Sequence, residues 1–292
     1  MIKDFIKLIR VKHWIKNFFV FIPLIFSLHL FHYDYFIASL ITFILFSFAS
    51  SAIYVFNDIV DVENDKQHPV KKNRPIAAGK IKIKTAYLIF VLLISAVLIF
   101  SFQFNYKVFL SLLVFILINV VYTIKLKQVV LLDIFSIAAG FSIRVYSGAI
   151  AIDVQISSWL ILSTIFISLF LAVMKRRSEL KRFENESEKR TRKVLESYSI
   201  DFTDQMATVA ASGLITCYAL YTVAERTVNV FGTEDLIYTT PFVVFGIFRF
   251  MYLEYINQKG ENTTEIILTD IPTIMNVILY LITCIAIIYK FV

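Results

Sequence analysis

The sequence contains little cysteine and little charge for its length. Two of its 292 residues are cysteine, Cys217 and Cys284, and they lie singly in apolar stretches, which indicates neither a disulfide framework nor a thiolate metal site. Charged residues make up 17% of the chain, whereas soluble globular domains carry about 25%. No low-complexity linker or strong repeat interrupts the sequence. These absences exclude an ordinary soluble globule and predict a single integral-membrane domain over residues 1–292.

Apolar residues dominate instead, and they occur in long runs. The chain is 58% hydrophobic, with a mean hydropathy of +0.74. A helix needs about 20 apolar residues to cross a hydrocarbon core of about 30 Å, and nine runs approach that length. They lie at 15–31, 36–56, 85–103, 106–124, 129–151, 157–174, 205–225, 236–256 and 271–289. The sequence therefore predicts an all-α polytopic membrane protein with nine transmembrane helices.

Lysine and arginine lie almost entirely on one side of this predicted bundle. Of the 29 such residues, all but five fall in the N-terminal segment or in the loops after the second, fourth, sixth and eighth spans; the five are Lys107, Arg226, Lys290, Arg144 and Arg249. The positive-inside rule therefore predicts a cytoplasmic N-terminus and an external C-terminus. No nucleic-acid-binding motif accompanies the net charge of +7. We expect contact with anionic membrane lipids and none with nucleic acid.

An acidic stretch follows the second predicted span directly. If the helix continues at about 100° per residue, Asn57, Asp58, Asp61 and Asp65 share one arc and Glu63 points roughly away from it. Three carboxylates and an amide on one face repel each other unless a cation lies among them. Oxygen ligands of this kind suit Mg²⁺, which bridges to substrate phosphates. Four basic residues that follow can complete a phosphate site: Lys66, Lys71, Lys72 and Arg74. The alternative is a solvated acidic helix end.

Several polar residues lie within or beside the first and fifth spans. Arg144 falls about halfway along its span, a position that by default marks a functional or paired site. Asp133 is 11 residues away, about 16 Å along a helix, which is too far for a direct partner. Lys16 and Asn17 begin the first span, where they can face the bundle interior. Gly148 allows a close approach between helices.

Two other predicted spans end in basic runs. The runs are Tyr122, Lys125 and Lys127 after the fourth span, and Lys175, Arg176, Arg177 and Glu179 after the sixth. There are two explanations for each run. Its long side chains can reach the membrane surface and form ordinary surface ion pairs, or they can bind phosphate. Asp201 and Asp204 form either a second cation-facing pair or the caps of the seventh span. Asp270, followed by Pro272, predicts an N-terminal cap for the last span.

The run Asn57-Asp58-x-x-Asp61-x-x-x-Asp65 resembles the first aspartate-rich motif of the UbiA-type intramembrane prenyltransferases. That resemblance implies a bundle of nine transmembrane helices with a cytoplasmic cap built from the loops after helices 2, 4 and 6. Within the superfamily the chain is more similar to the decaprenyl-phosphate phosphoribosyltransferases. The similar stretches are 13–17, 57–79, 126–148, 175–180 and 198–221.

The sequence departs from the aromatic prenyltransferases at two motifs. Their tyrosine and lysine are four residues apart, whereas Tyr122 is followed by lysines at three and five. Their second pair of aspartates is also spaced by four, whereas Asp201 and Asp204 are spaced by three. Both differences weigh against an aromatic acceptor.

The resemblance implies transfer of the 5-phosphoribosyl group from phosphoribosyl diphosphate to a polyprenyl phosphate of the decaprenyl or undecaprenyl type. Diphosphate is released, and the product serves lipid-linked pentose and cell-envelope glycan synthesis in a bacterial plasma membrane. The acceptor phosphate is already ionised at neutral pH, so no strong general base is required. One alternative is a prenyltransferase that moves a polyprenyl group from its diphosphate to an aromatic or quinone-precursor acceptor. Another is a lipid-phosphate carrier, although its polar residues would have to run through the spans.

The resemblance also implies roles for individual residues. Asn57, Asp61 and Asp65 are expected to hold Mg²⁺, and Asp58 and Asp61 to act at the reacting centre. The expected substrate-binding residues are Lys16, Asn17, Lys71, Arg74, Tyr122, Lys125, Lys127, Arg144, Lys175, Arg176, Arg177 and Glu179. The prenyl chain length is left open, and so is the assembly of copies into a homo-oligomer.

Overall fold

A computed structural model of the chain describes residues 2–68, 70–186, 193–256 and 269–290, and these residues form helices and turns without a strand. The α-helices are α1 Ile2–Ile9, α2 Ile22–Ile25, α3 Tyr33–Val60, α4 Val62–Gln67, α5 Ile83–Phe104, α6 Tyr106–Ile124, α7 Leu132–Ala151, α8 Ser158–Glu186, α9 Ile200–Val223, α10 Glu225–Phe231, α11 Thr240–Tyr255 and α12 Ile271–Tyr289. Shorter 3₁₀ segments are Val11–Phe21, Lys71–Asn73, Leu126–Gln128, Lys193–Ser197 and Asp235–Thr239.

Eight helical segments in the described ranges are long and apolar enough to cross a membrane. They are α3, α5, α6, α7, Ser158–Lys181 within α8, α9, Asp235–Tyr255 ending in α11, and α12. Each coincides within a few residues with one of the last eight runs predicted from the sequence, except that Ser158–Lys181 extends about two turns beyond its run. The all-α membrane class is therefore confirmed.

The first predicted span is not a continuous α-helix, so the ninth transmembrane helix is not confirmed. Residues 15–31 fall on the 3₁₀ segment Val11–Phe21 and the four-residue α2. Pro23 is the second residue of α2, a position where its missing N–H costs little, whereas further inside a helix it would break the hydrogen-bond ladder. The cytoplasmic cap expected from the resemblance is not confirmed either, and the basic loop after α8 lies partly outside the described residues.

The chain divides into two compact units. The first comprises Met1–Leu24, His32–Ser136 and Ile143–Val154, and the second Ile25–Phe31, Ile137–Ser142 and Gln155–Val292. In the first unit, α3 packs with α5, α6 and Val11–Phe21 around one hydrophobic cluster. The cluster consists of Val20, Leu45, Phe46, Ala49, Ile53, Val97, Val108, Leu112, Phe115 and Ile116.

The length of α3 determines where its polar end lies. With 28 residues, α3 extends about 42 Å at 1.5 Å per residue, longer than a hydrocarbon core of about 30 Å. A second cluster of Leu8, Val55, Ile76 and Ala86 packs α1 and the loop before α5 against the last turns of α3. The acidic stretch is therefore held between α1 and this loop.

A close backbone contact in the first unit depends on Gly148. An ideal Cβ at this position would lie 2.1 Å from the carbonyl oxygen of Val20. Beside it, Ser147 Oγ lies 2.7 Å from Ser111 Oγ of α6. The close approach predicted at Gly148 is therefore confirmed, and it brings α7 against the segment Val11–Phe21.

In the second unit, α12 begins at the cap predicted from the sequence. The carboxylate of Asp270 accepts hydrogen bonds from Thr273 N at 3.0 Å and from Thr273 Oγ1 at 2.7 Å. Arg249 donates to the same carboxylate through Nε at 3.0 Å and Nη2 at 2.8 Å. The Arg249 hydrogen bond, followed by those from Thr273, holds the pKa of Asp270 well below its usual range. The cap at Asp270 is confirmed.

We expect Gly148→Ala to destabilise the protein, because the added Cβ meets the backbone of Val20, which cannot rotate away. An overpacked interior costs about 1–3 kcal/mol, or several degrees in the midpoint of thermal unfolding for a chain of this size. Thermal unfolding in detergent measures the effect. The matched control is Gly246→Ala, where the nearest atom is the side-chain amide of Asn276 at 3.3 Å. Equal midpoints for the two variants would contradict the assignment.

Candidate active site

The acidic residues continue one helical path past the end of α3. Asp61 interrupts the regular helix with φ −92° and ψ 7°. Asp61 N nevertheless donates to Asn57 O at 2.9 Å, and Asp65 N donates to Asp61 O at 2.8 Å. Asp58 and Asp65 are buried on this path, whereas the side chain of Glu63 is 75% exposed and pairs with Lys66. The four predicted side chains therefore remain on a common path, with Glu63 away from it.

One carboxylate oxygen of Asp58 accepts hydrogen bonds from two arginines. Arg10 Nη2 donates to Asp58 Oδ1 at 2.5 Å, and Arg74 Nη1 donates to the same atom at 3.1 Å. The Arg10 guanidinium also lies over the Tyr54 ring, 4.8 Å from its centroid. Tyr54 precedes Asp58 by one helical turn, so the ring and the carboxylate lie on the same side of α3. Asp58 is thereby neutralised although only 2% of it is exposed.

The other two carboxylates each bind one cation. Arg74 Nη1 donates to Asp65 Oδ2 at 2.6 Å, and Lys127 Nζ donates to Asp61 Oδ1 at 2.6 Å. The side chains of Arg74 and Lys127 are 23% and 11% exposed, so both can be reached from solvent. Such distances are typical of charge-assisted hydrogen bonds. The end of α3 is therefore a cluster of three carboxylates and three cations, Arg10 included.

The donor chemistry of this cluster suits Mg²⁺. Each carboxylate uses one oxygen for a cation, which leaves Asp58 Oδ2, Asp61 Oδ2 and Asp65 Oδ1 without a hydrogen-bond donor among the described residues. The Asn57 amide adds a neutral oxygen, and carboxylate and amide oxygens are the ligands that hard divalent cations prefer. Within the described residues no three His, Cys, Asp or Glu side chains are drawn together around one point that could hold an ion. These oxygens therefore fit the metal in kind, while Arg74 and Lys127 bind the other oxygen of Asp65 and of Asp61.

Sequence reasoning missed Arg10. It lies at the junction of α1 and Val11–Phe21 with φ 52°, a left-handed conformation that few non-glycine residues adopt. This turn directs its guanidinium to Asp58, 48 residues later in the chain. In the sequence Arg10 is one of several N-terminal basic residues, which the positive-inside rule already explains. No local pattern marks it as different.

Arg144 and Asn17 bind each other in the interior of the first unit. Arg144 Nε donates to Asn17 Oδ1 at 2.7 Å, and Arg144 Nη2 donates to Ser50 Oγ at 3.2 Å. Asn17 Nδ2 donates to Ser47 Oγ at 3.1 Å. The guanidinium also lies 4.6 Å from the centroid of the Phe115 ring. Arg144 is therefore paired, with the Asn17 amide as a partner.

The remaining predicted residues of the first unit lie at different depths. Lys16 is half-buried and Lys125 is exposed. Neither side chain forms a hydrogen bond or an ion pair with the described residues. Tyr122 is half-buried near the end of α6. Lys71 begins the 3₁₀ segment Lys71–Asn73, and its backbone N–H donates to His68 Nδ1 at 3.3 Å.

In the second unit, Arg177 faces Asp204. Arg177 Nε donates to Asp204 Oδ1, which also accepts from the Tyr255 hydroxyl at 2.7 Å. The guanidinium stacks on the Tyr255 ring at 3.7 Å, and Nη1 lies 3.8 Å from Glu254 Oε1. Tyr255 and Glu254 were not predicted as partners, because they belong to α11, 78 and 77 residues beyond Arg177. Together these contacts join α8, α9 and α11.

The other predicted residues near the end of α8 and the start of α9 have separate surroundings. Arg176 is fully buried and donates from Nη1 to Glu179 Oε2 at 2.7 Å, three residues along α8. Asp201 is exposed in the first turn of α9. The cap of α9 is Ser199, whose Oγ accepts from Phe202 N at 3.1 Å. The alternative in which the two aspartates cap this helix is therefore wrong.

Comparison with known proteins places this geometry in a family context. Residues 18–268 match the family model described as the UbiA prenyltransferase family. A decaprenyl-phosphate phosphoribosyltransferase from Mycolicibacterium smegmatis is 35% identical over 239 residues, 80% of this chain and 75% of the relative. A protein of the same name from Corynebacterium glutamicum is 36% identical over 220 residues, 74% of this chain and 66% of the relative.

A solved structure shows the same fold. A UbiA homologue from Archaeoglobus fulgidus, with GPP and Mg²⁺ bound, has a TM-score of 0.71 at 14% identity, covering 98% of this chain and 99% of that one. The family match spans most of the chain, and the sequence relatives are more than 30% identical over more than two thirds of it. The chain therefore belongs to the UbiA prenyltransferase family and is an integral-membrane transferase.

Proposed function

We propose that this protein transfers the 5-phosphoribosyl group of phosphoribosyl diphosphate to a polyprenyl phosphate of the decaprenyl or undecaprenyl type. The observation that carries the proposal is the 35% identity, over 80% of the chain, with a relative named for this activity. In the reaction, the bond from ribose C1 to the diphosphate oxygen breaks and a bond from C1 to an oxygen of the lipid phosphate forms. The products are inorganic diphosphate and a lipid-linked phosphoribose, a precursor of cell-envelope glycans.

The cluster at the end of α3 suits departure of the diphosphate. Arg74 and Lys127 are cations that solvent reaches, and they can bind phosphate oxygens as the leaving group gains charge. Asn57, Asp61 and Asp65 would hold Mg²⁺, which supplies further neutralisation of the diphosphate when bound. The acceptor phosphate is already an anion, so the site needs no strong base to generate the nucleophile.

We propose that Lys16, Lys71, Tyr122, Lys125 and Lys175 bind phosphate groups of the donor or of the lipid. Five further predicted residues bind side chains of the protein, and for them we propose a positioning part within their helices: Asn17, Arg144, Arg176, Arg177 and Glu179. The charge asymmetry of the sequence supports a cytoplasmic position for the carboxylate cluster and the N-terminus, and we propose this orientation in a bacterial plasma membrane, with the water-soluble donor on the same side.

The rival activity within the family uses a prenyl diphosphate as donor. It is favoured by the structural likeness to a homologue that binds GPP, since the same carboxylate cluster would serve either diphosphate. We therefore expect membranes containing the protein to form a labelled lipid from ribose-labelled phosphoribosyl diphosphate and polyprenyl phosphate. Extraction into organic solvent followed by chromatography measures the product. A labelled prenyl diphosphate that is consumed with an aromatic acceptor, while no ribose label reaches the lipid, would overturn the proposal.

Asp61→Asn should lower the transfer rate by about 10²-fold or more, a typical cost of losing one group that stabilises developing charge. The substitution removes a carboxylate charge from the proposed metal site and leaves Lys127 without its ion pair. Initial rates of labelled-lipid formation in membranes with matched protein content give the measurement.

The control for this prediction is Glu63→Gln, which removes an acidic charge from the adjacent α4 but only from an exposed pair with Lys66. Exposed pairs contribute little to stability, so this variant should keep the wild-type rate. Normal turnover by Asp61→Asn would refute the assignment of Asp61, and an equal loss in both variants would show that general negative charge matters rather than this carboxylate.

A further inference from the structure

We propose that a divalent metal ion and a diphosphate enter the carboxylate cluster as a coupled pair, because Arg74 and Lys127 must leave the carboxylates when the two ligands bind. The inference rests on the proposed function only in that the donor carries a diphosphate. The contacts that Arg74, Lys127 and Arg10 make in the first unit support it.

The starting arrangement is balanced in charge. Asp61 and Asp65 each have one oxygen bound at 2.6 Å, to Lys127 and to Arg74 respectively. Asp58 is bound by Arg10 as well as by Arg74. Three carboxylates thus face three cations in a largely buried cluster, where water screens charge poorly. Any ligand that adds charge of one sign disturbs this balance.

A metal ion alone binds unfavourably to this arrangement. The oxygens of Asp61 and Asp65 that have no protein donor lie on the same carboxylates as the ion-paired oxygens. A dication on these oxygens is repelled by Lys127 and Arg74 while those cations stay in place. If the two cations move away, they lose their charge partners in a cluster that is only partly exposed, which is costly.

A diphosphate alone meets the opposite difficulty. It attracts Arg74 and Lys127, but their departure would leave Asp61 and Asp65 with uncompensated negative charge beside an anion. When both ligands arrive, one dication replaces two monovalent cations on the carboxylates. The two released cations then bind phosphate oxygens. The charge on the carboxylates is conserved, and the charge-assisted hydrogen bonds that break are replaced by others of the same kind.

Arg10 is the cation that stays. It donates to Asp58 at 2.5 Å and its guanidinium lies over the Tyr54 ring, so it keeps Asp58 neutralised after Arg74 has moved. Asp58 is then a positioning residue that holds Arg74 near the diphosphate, and it is not needed as a metal ligand. The left-handed backbone at Arg10 fixes the guanidinium in this place.

Equilibrium dialysis of the detergent-purified protein against Mn²⁺, with and without inorganic diphosphate, tests the coupling. Mn²⁺ retained by the protein is released with acid and quantified by electron paramagnetic resonance, and its solution complex with diphosphate is present on both sides of the membrane. We expect wild-type protein to bind Mn²⁺ about tenfold more tightly when diphosphate is present, a common size for coupling between two ligands. Equal affinity with and without diphosphate would overturn the proposal.

A variant separates this mechanism from an ordinary bridging metal. Lys127→Gln can still donate a hydrogen bond to Asp61 but lacks the charge, so it should bind Mn²⁺ alone more tightly than wild type. The same variant should bind the pair of Mn²⁺ and diphosphate more weakly, because one phosphate cation is missing. Weaker or unchanged binding of Mn²⁺ alone by the folded variant would contradict the exchange. If the variant does not fold, as judged by its thermal unfolding, Arg74→Gln takes its place with the same two expectations, because Arg74 is the cation on Asp65.

The control is Lys80→Met, which removes a lysine from an exposed pair with Asp4 that involves none of the three carboxylates. This variant should bind Mn²⁺ as wild type does in both conditions, and a change equal to that of Lys127→Gln would also contradict the proposal. Inorganic diphosphate is a product of either candidate reaction. The dialysis result is therefore independent of which donor the enzyme uses, and a failed labelled-lipid assay would not be mistaken for a failure of the coupling.

Discussion

The requirement that buried carboxylates be neutralised organises the first unit of this protein. Asp58 and Asp65 lie almost completely buried at the end of a long apolar helix, where an unpaired charge would be strongly unfavourable. Three separate parts of the chain each contribute one cation that binds these carboxylates or Asp61. They are the turn after α1, the loop before α5, and the connection from α6 to α7. The positions of these connections follow from the acidic helix end as much as from hydrophobic packing.

The same rule explains the polar groups inside the spans. Arg144 binds the Asn17 amide and lies over an aromatic ring, and Arg177 is enclosed by Asp204, Glu254 and the Tyr255 ring. Ionisable groups within membrane helices are expensive and by default suggest function. Here each arginine contacts polar or charged partners within its own unit, and these contacts fix helices against each other. The cations of the α3 cluster differ, because Arg74 and Lys127 are partly open to solvent and can change partners.

Apolar periodicity and length predicted the long helices well, because a run that must cross a hydrocarbon core has a nearly fixed length. The first predicted span is not one α-helix because Pro23, which a helix accepts in its first turn but not in its interior, lies midway along residues 15–31, and hydropathy does not register this. The acidic cluster was predictable because its residues are adjacent on one helix. The partners of Asp58 and Arg144 were not, since Arg10 and Asn17 meet them over separations of 48 and 127 residues, and no local pattern records such contacts.

A structure determined with Mg²⁺ and diphosphate bound would test the account most directly through one distance, from Lys127 Nζ to Asp61 Oδ1. The pair is 2.6 Å apart in the arrangement described here. We expect this bond to be broken and Lys127 to contact a phosphate oxygen. The ion should be bound by Asp61 and Asp65, and Arg10 should keep its hydrogen bond to Asp58. An intact Lys127–Asp61 pair with both ligands bound elsewhere would contradict it.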